Sequence, residues 1–194
     1  MFENFTEADH KKFMMMAHDM RKYGHDPKGQ NGAVIINQNK ELVYGGYNGL
    51  PFEKELNDEM KELFCTNWEN NFQNDYRYNQ RLIKHAETNA IDNALYHGLK
   101  VEDCVIYITL YPCIHCAEAV VKSGIKMLVH DDETVDFNDP NWGEGWKGVK
   151  DLFDKQGIEI LQLHTNKEQI GLGRLAKLSI HYTDFYRKHG FIRG

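Results

Sequence analysis

Apolar residues near the start of the chain recur at helical spacing. Phe13, Met14, Met16, Ala17 and Met20 follow Thr6, whose partner three residues on is Asp9, so residues 6–22 are predicted to form a capped amphipathic helix with Met14-Met15-Met16 filling core. The period then changes to that of strands. Gly32-Ala-Val-Ile-Ile36, the polar turn Asn37-Gln-Asn-Lys40 and Glu41-Leu-Val-Tyr44 read as a β-hairpin, because β-branched runs flank a turn-forming tetrapeptide. Residues 52–84, rich in Glu, Asn, Asp, Tyr and Phe, show only weak helical periodicity at Leu56, Met60, Leu63 and Phe64, and read as a partly helical insertion.

From His85 the pattern strengthens. Ala86, Ala90, Ile91, Ala94 and Leu95 form a helical stripe that stops at His97-Gly98, where glycine suits a left-handed cap. Val105 to Leu110 reads as a strand, and Pro112 as the start of a helix with apolar Ala117, Val120 and Val121 that closes at Ser123-Gly124. Lys126 to His130 is a strand, 144–156 a helix, Ile158 to Leu163 a short strand, and the tail over 165–194 helical. Two successive strand–helix–strand units imply parallel pairing of the last three strands, added to an antiparallel hairpin. The fold class expected is α/β, a three-layer α/β/α sandwich on a five-stranded mixed sheet, with residues 1–194 as a single domain. The acidic stretch from Asp131-Asp132-Glu133 to Asp139-Pro140-Asn141 reads as a solvated connection.

Composition narrows the classes of function. In 194 residues, 41% are hydrophobic, 12% aromatic and 27% charged, with only four prolines, which is too much burial potential for a disordered chain. No stretch approaches the run of about 20 apolar residues that spans a membrane. The start, Met1-Phe2-Glu3-Asn4-Phe5, lacks the pattern of a secretory signal, so a reducing cytoplasmic location is expected. A formal charge of −6 gives no global field for a phosphate backbone, which argues against a long nucleic acid as partner. Four cysteines do not make a disulfide scaffold in a chain of this size, but two of them stand as Cys113-Ile114-His115-Cys116.

That pair, with His85-Ala86-Glu87, carries the chemistry. Cys113 and Cys116 lie three apart on one face of a first helical turn, where exposed N–H groups favour thiolates over thiols. A Cys-x-x-Cys alone also fits a redox pair or half of a structural zinc site. With His85 as third ligand the set is soft enough for Zn2+ and leaves a position open for water, while Glu87, two residues from the ligand, is free to act as general base and then general acid. His115, on a different helix face, reads as a packing or surface histidine, Cys104 as a small core hydrophobe, and Cys65 as a buried or free thiol. Trp142-Gly143-Glu144-Gly145-Trp146 reads as a mobile lid. Lys28, Lys84 and Arg81 are candidate cations for a single substrate phosphate.

His-x-Glu with Pro-Cys-x-x-Cys is a signature of zinc nucleobase deaminases. The stretches His85-Ala-Glu-Thr-Asn-Ala-Ile91 and Tyr107-Ile-Thr-Leu-Tyr-Pro-Cys-Ile-His-Cys-Ala117 resemble the deoxycytidylate (dCMP) deaminase branch of the cytidine deaminase-like superfamily. Asp26-Pro27 ahead of Gly32-Ala33-Val34-Ile35, and Gly46-Tyr47-Asn48-Gly49-Leu50-Pro51, resemble the same branch, so the resemblance runs over about residues 10–163. The chain departs from it at Asn31, where an apolar residue is usual, and in the acidic, aromatic insertion. The resemblance implies a cytidine deaminase-like fold and zinc-dependent deamination of a cytosine deoxynucleotide, dCMP to dUMP and ammonia. It also implies that Asn48 contacts the sugar or base, that the Ala86 main-chain N–H meets the base carbonyl, that Tyr111 lines the pocket, and that phosphate contacts come from the Asp26-Pro27 neighbourhood. It further implies a homo-oligomer, a hexamer, with a nucleotide effector such as dCTP or dTTP. The rival readings are the same chemistry on another base, nucleoside or triphosphate, and a non-catalytic zinc nucleotide-binding protein. Glu87 argues against the latter, since a structural site more often completes a fourth protein ligand.

Overall fold

A computed structural model describes residues 2–24, 30–49, 83–131 and 135–164 of the chain. The chain divides into two compact units, Met1–Gly49 with His85–Thr165 and Leu50–Lys84 with Asn166–Gly194, and every element below belongs to the first. Apart from Ile83 and Lys84, the insertion read at 52–84 lies outside the described residues, as does the tail from 165.

Helix α1 (Glu7–Met20) starts where a capping box can form. The Thr6 hydroxyl accepts the Asp9 N–H at 3.2 Å and the Asp9 carboxylate accepts the Thr6 N–H at 2.9 Å, which satisfies two otherwise orphaned donors. The Lys40 ammonium lies 2.8 Å from the same carboxylate and, with Thr6, holds Asp9 well below the usual carboxylate range. Phe13, Met14 and Ala17 are buried. Met15 is not core, as the sequence suggested, but 36% exposed, because a 100° step per residue sends three successive side chains in three directions.

Strand β1 (Gly32–Ile36) turns back through Asn37–Lys40, where the Asn37 side-chain oxygen accepts the N–H groups of Asn39 and Glu41 and Lys40 takes a left-handed φ of 63°. Strand β2 (Leu42–Tyr47) runs three residues further than the expected Tyr44. Gly45 and Gly46 are weak strand formers, yet pairing continues to Ala33 opposite Gly46 and Gly32 opposite Tyr47. The reason lies behind the strand. A Cβ on Gly46 would fall 2.4 Å from the Ala86 carbonyl and 2.5 Å from the Ala90 nitrogen, so glycine alone lets helix α2 (Ala86–Tyr96) rest on β2.

Strand β3 (Val105–Ile108), helix α3 (Ile114–Ser123), strand β4 (Met127–His130), helix α4 (Gly143–Gln156) and strand β5 (Glu159–Gln162) complete the unit. The sheet order is β2-β1-β3-β4-β5; β1 is antiparallel to both neighbours, and β3, β4 and β5 are parallel. This is the mixed five-stranded α/β fold expected from two strand–helix–strand units beside a hairpin. Alternation divides the core. Ala33, Ile35, Ile106, Ile108 and Leu128 face α2, α3 and α4, while Val34, Ile36, Val105, Tyr107, Met127 and Val129 face α1 and the N-terminal Phe2 and Phe5. Leu95, expected in the core stripe of α2, is 52% exposed, one step beyond the face that buries Ala86, Ala90 and Ala94. No helix among the described residues is long and apolar enough to cross a membrane.

Because β1 is antiparallel to β2 and β3, its start shares one edge of the sheet with the ends of β2, β3 and β4. There Thr109 finishes the ladder, its N–H on the Gly32 carbonyl and its hydroxyl accepting the Gly32 N–H, both at 3.1 Å. Asp131 follows β4 and is not solvated as expected. It is buried, with a carboxylate oxygen 2.8 Å from Nε2 of buried His18, and the Arg21 guanidinium reaches Nδ1 of that histidine at 3.4 Å. A polar pair this deep is tolerated because each group has a hydrogen-bonding partner.

Gly46→Ala is expected to lower stability by about 1–3 kcal/mol through overpacking against α2. Gly145→Ala, at an exposed α4 position where a Cβ meets nothing within 4 Å, is expected to raise it by about 0.5–1 kcal/mol. Urea denaturation of the two variants checks this, and equal effects would contradict the close approach of α2 to β2.

Candidate active site

Helices α2 and α3 begin at this sheet edge, and both begin on unusual residues. N-cap positions favour Ser, Thr, Asp or Asn, whose side chains accept a first-turn N–H. Here they are His85 and Cys113, both extended in backbone and neither making the usual side-chain capping bond. Each gives up stabilisation of roughly 0.5–2 kcal/mol relative to a good cap. What the two side chains do instead is meet. His85 Nδ1 lies 3.3 Å from Cys116 Sγ and 3.6 Å from Cys113 Sγ, and all three donor atoms lie within 4.8 Å of one another. Cys116, in the third helical position, comes round to the same side as the N-cap, so the sharing of one helix face read from the spacing is realised from the cap inward rather than within the helix body.

The separations fit a common ion. Tetrahedral zinc with Zn–S of about 2.3 Å and Zn–N of about 2.0–2.1 Å sets nitrogen and sulfur roughly 3.5 Å apart, close to the spacing observed. Two thiolates and an imidazole are also the donor set zinc prefers. Among the described residues this is the one cluster of three or more such donors. His85 is exposed, Cys113 half-buried and Cys116 buried, so the cluster opens to solvent on the histidine side.

The charge distribution is uneven. A hydrogen bond from the Cys116 thiol pushes Cys113 down to about 3 against the opposing cost of burial, with His85 adding to the effect. Cys116, the donor of that bond, is pushed up, and burial and the neighbouring Glu87 act in the same direction. The one hydrogen bond thus shifts the two cysteines in opposite directions. Glu87, in the first turn of α2, is 6% exposed, and burial holds its carboxyl above the ordinary range. A carboxyl raised in this direction is better suited than an ordinary one both to accept and to return a proton.

The remaining expected site residues are placed as follows. Asn48, just after β2, is buried, and its side-chain oxygen accepts the Ala86 N–H at 2.9 Å, so the two groups read as substrate contacts are joined to each other. Tyr111 is 8% exposed and pushed up to about 12 by burial. It packs edge-on to His130 at 5.0 Å, Phe137 at 6.2 Å and Trp146 at 6.4 Å. Trp142 and Trp146, read as a lid, are the N-cap and first turn of α4, a regular helix supporting Tyr111. Lys28, Arg81 and Cys65 lie outside the described residues; Lys84 is half-buried. Cys104 is buried core, pushed up to about 11 by burial, and His115 is exposed, both as expected.

Sequence reasoning missed Asn89 and the buried His18–Asp131 pair. Asn89 donates its side-chain amide to the carbonyls of Tyr47 at 2.8 Å and Gly49 at 3.5 Å. A weak helix former at the end of the first turn was its only signal.

The family model for the cytidine and deoxycytidylate deaminase zinc-binding region matches residues 7–131, a span that holds His85, Glu87, Cys113 and Cys116. The chain belongs to this deaminase family. An uncharacterized deaminase of Aliivibrio fischeri is 31% identical over 79% of the chain and 92% of its own length. The deoxycytidylate deaminase of Mus musculus is 34% identical over 62% of the chain, which spans 66% of that enzyme's length. In fold the deaminase is similar to the dCMP deaminase of cyanophage S-TIM5, with a TM-score of 0.58 at 19% identity over 82% of the chain and 100% of the phage protein. The phage enzyme is also known in complex with dCMP and dUMP. The chain is thus a hydrolytic deaminase carrying its family's zinc-binding region, with His85, Cys113 and Cys116 grouped to hold the metal.

In the metal-free deaminase, iodoacetamide is expected to label Cys113 ahead of Cys116 and to leave Cys104 untouched, because the first is half-exposed with a lowered pKa and the last a buried thiol. Peptide mapping by mass spectrometry checks the order, and zinc should protect Cys113. Labelling of Cys104 at the rate of Cys113 would contradict the assignment.

Proposed function

We propose that this deaminase converts a cytosine deoxynucleotide, dCMP, to dUMP and ammonia, with His85, Cys113 and Cys116 holding zinc and Glu87 moving the protons. The observation that carries the reading is a buried carboxyl set directly against a three-donor soft cluster that is open on one side. The named activity of the mouse relative and the nucleotides bound by the phage enzyme support the choice of substrate.

When bound, zinc supplies an electrophile that makes water nucleophilic near pH 7. The chain's own residues do the rest. Glu87 takes a proton from the attacking water and delivers it to N3 of the ring as the oxygen adds to C4. The same carboxyl then takes the remaining proton from the new C4 hydroxyl and passes it to the 4-amino group, the C4–N bond breaks as the C4 carbonyl forms, and ammonia leaves. One water enters, the ring gains a carbonyl oxygen, and the net reaction is dCMP plus water to dUMP plus ammonia. Tyr111, held by His130, Phe137 and Trp146, offers a rigid aromatic wall to the base. The family resemblance extends the proposal to a hexamer with dCTP and dTTP as effectors.

Glu87→Gln is expected to retain zinc at the wild-type ratio and to lose about 10²–10⁴-fold or more in kcat. Activity within tenfold of wild type would reject the role given to Glu87. Ammonia release from dCMP, CMP, deoxycytidine, dCTP and cytosine at matched concentrations tests the substrate. The highest kcat/KM is expected for dCMP, and equal use of deoxycytidine would remove the monophosphate from the proposal.

A further inference from the structure

The helix that carries half of the site starts without a cap of its own. His85 occupies the N-cap of α2 but turns its Nδ1 to the two cysteines, so the N–H groups of the first turn need acceptors from elsewhere. The Ala86 N–H finds one in the side-chain oxygen of Asn48 at 2.9 Å. That donor also fixes which end of the Asn48 amide is oxygen. Asn48 is 4% exposed and is held in turn, its own N–H donating to the Asn31 carbonyl at 3.2 Å.

The return connection comes from one turn further along α2. Asn89, 6% exposed, donates to the carbonyls of Tyr47 and Gly49, the two residues that flank Asn48. Strand end and helix start thus hold each other: Asn48 from the strand takes the helix's first N–H, and Asn89 from the helix takes the carbonyls on either side of Asn48. Gly46 permits the approach, since any side chain there would strike the Ala86 carbonyl. Asparagine is a weak helix former and an expensive residue to bury unpaired, so its place at the end of the first turn follows from these bonds and not from helix formation.

We propose that Asn48 and Asn89 form a reciprocal lock that positions the first turn of α2, and with it His85 and Glu87, by supplying from β2 the cap that His85 withholds. Both are positioning residues. The side chains on either side of Ala86 are a metal donor and the carboxyl that moves protons, so loosening of that peptide displaces both together. Outer-shell partners of this kind commonly affect metal affinity or activity by ten- to a hundredfold. For its effect on turnover the lock rests on the deaminase reading; for metal affinity and amide exchange it does not.

The test uses the full chain and four variants: Asn48→Ala, Asn48→Asp, Asn89→Asp and the double variant Asn48→Ala/Asn89→Asp. Asn48→Asp keeps an acceptor for the Ala86 N–H, and a carboxylate is favourable at a helix start, so zinc affinity and Ala86 amide protection should stay within about threefold of wild type. Asn48→Ala and Asn89→Asp should each speed Ala86 amide exchange at least tenfold, weaken zinc about ten- to a hundredfold in competition with a chromogenic chelator, and lower kcat more than they raise KM. The double variant should be no worse than about the worse single one, since both break a single device. If Asn89→Asp does not fold, Asn89→Ala, which removes the donor without adding charge, takes its place in every comparison. Asn48→Ala with unchanged zinc affinity and Ala86 exchange but a raised KM would overturn the lock and leave Asn48 a substrate contact alone. Additive losses of thermal stability with zinc affinity unchanged would also overturn it. If even the wild-type chain deaminates no nucleotide, the proposed function fails while exchange and zinc affinity still decide the lock.

Discussion

Everything at this site depends on two helices being made to begin side by side at one edge of the sheet. A histidine and two cysteines separated by 28 residues of chain share an ion only if the starts of α2 and α3 are adjacent, and the sheet order makes them so. β3, in the middle of the sheet, feeds α3 directly, while β1 and β2 present the surface on which α2 lies. The close approach at Gly46 then sets how near α2 can come. The N-caps are used as donors of a different kind, and the capping energy forgone at His85 and Cys113 reflects the common tension between local stability and function.

Electrostatics at the site follow from the same placement. Cys113 sits at a helix start, half-exposed and hydrogen-bonded by its partner, which lowers its pKa; Cys116 is deeper, and the same bond and burial push it up. Glu87, buried beside them, has its carboxyl raised above the ordinary range by burial. A hydrogen bond between the cysteines moves their pKa values in opposite directions, while burial raises that of Glu87, so three groups of different acidity stand together.

Much of this was legible in the residues. Thr6 with Asp9 marked the start of α1, Gly98 and Gly124 marked the ends of α2 and α3, and the spacing of His85, Glu87, Cys113 and Cys116 carried the family and its chemistry. The misses share a cause. Met15 and Asp131 were assigned by residue type and Leu95 by the edge of a helical stripe, but which side of a helix or which strand end faces the core is set by neighbours distant in sequence, as when His18 pairs with buried Asp131 from 113 residues away. β2 ran past its expected end because Gly45 and Gly46, weak strand formers, were needed for α2 to approach. Asn89 gave almost no signal, since its role appears only when β2 and α2 are seen together.

The central claim is that this chain builds an open three-donor zinc centre and not a closed structural one. Zinc K-edge absorption on the purified, zinc-loaded protein tests it most directly. Two sulfur scatterers at about 2.3 Å with nitrogen or oxygen at about 2.0–2.1 Å, of which one is displaced by an added exogenous ligand, is the expected result. Three or four sulfurs, or a shell that no added ligand perturbs, would contradict it.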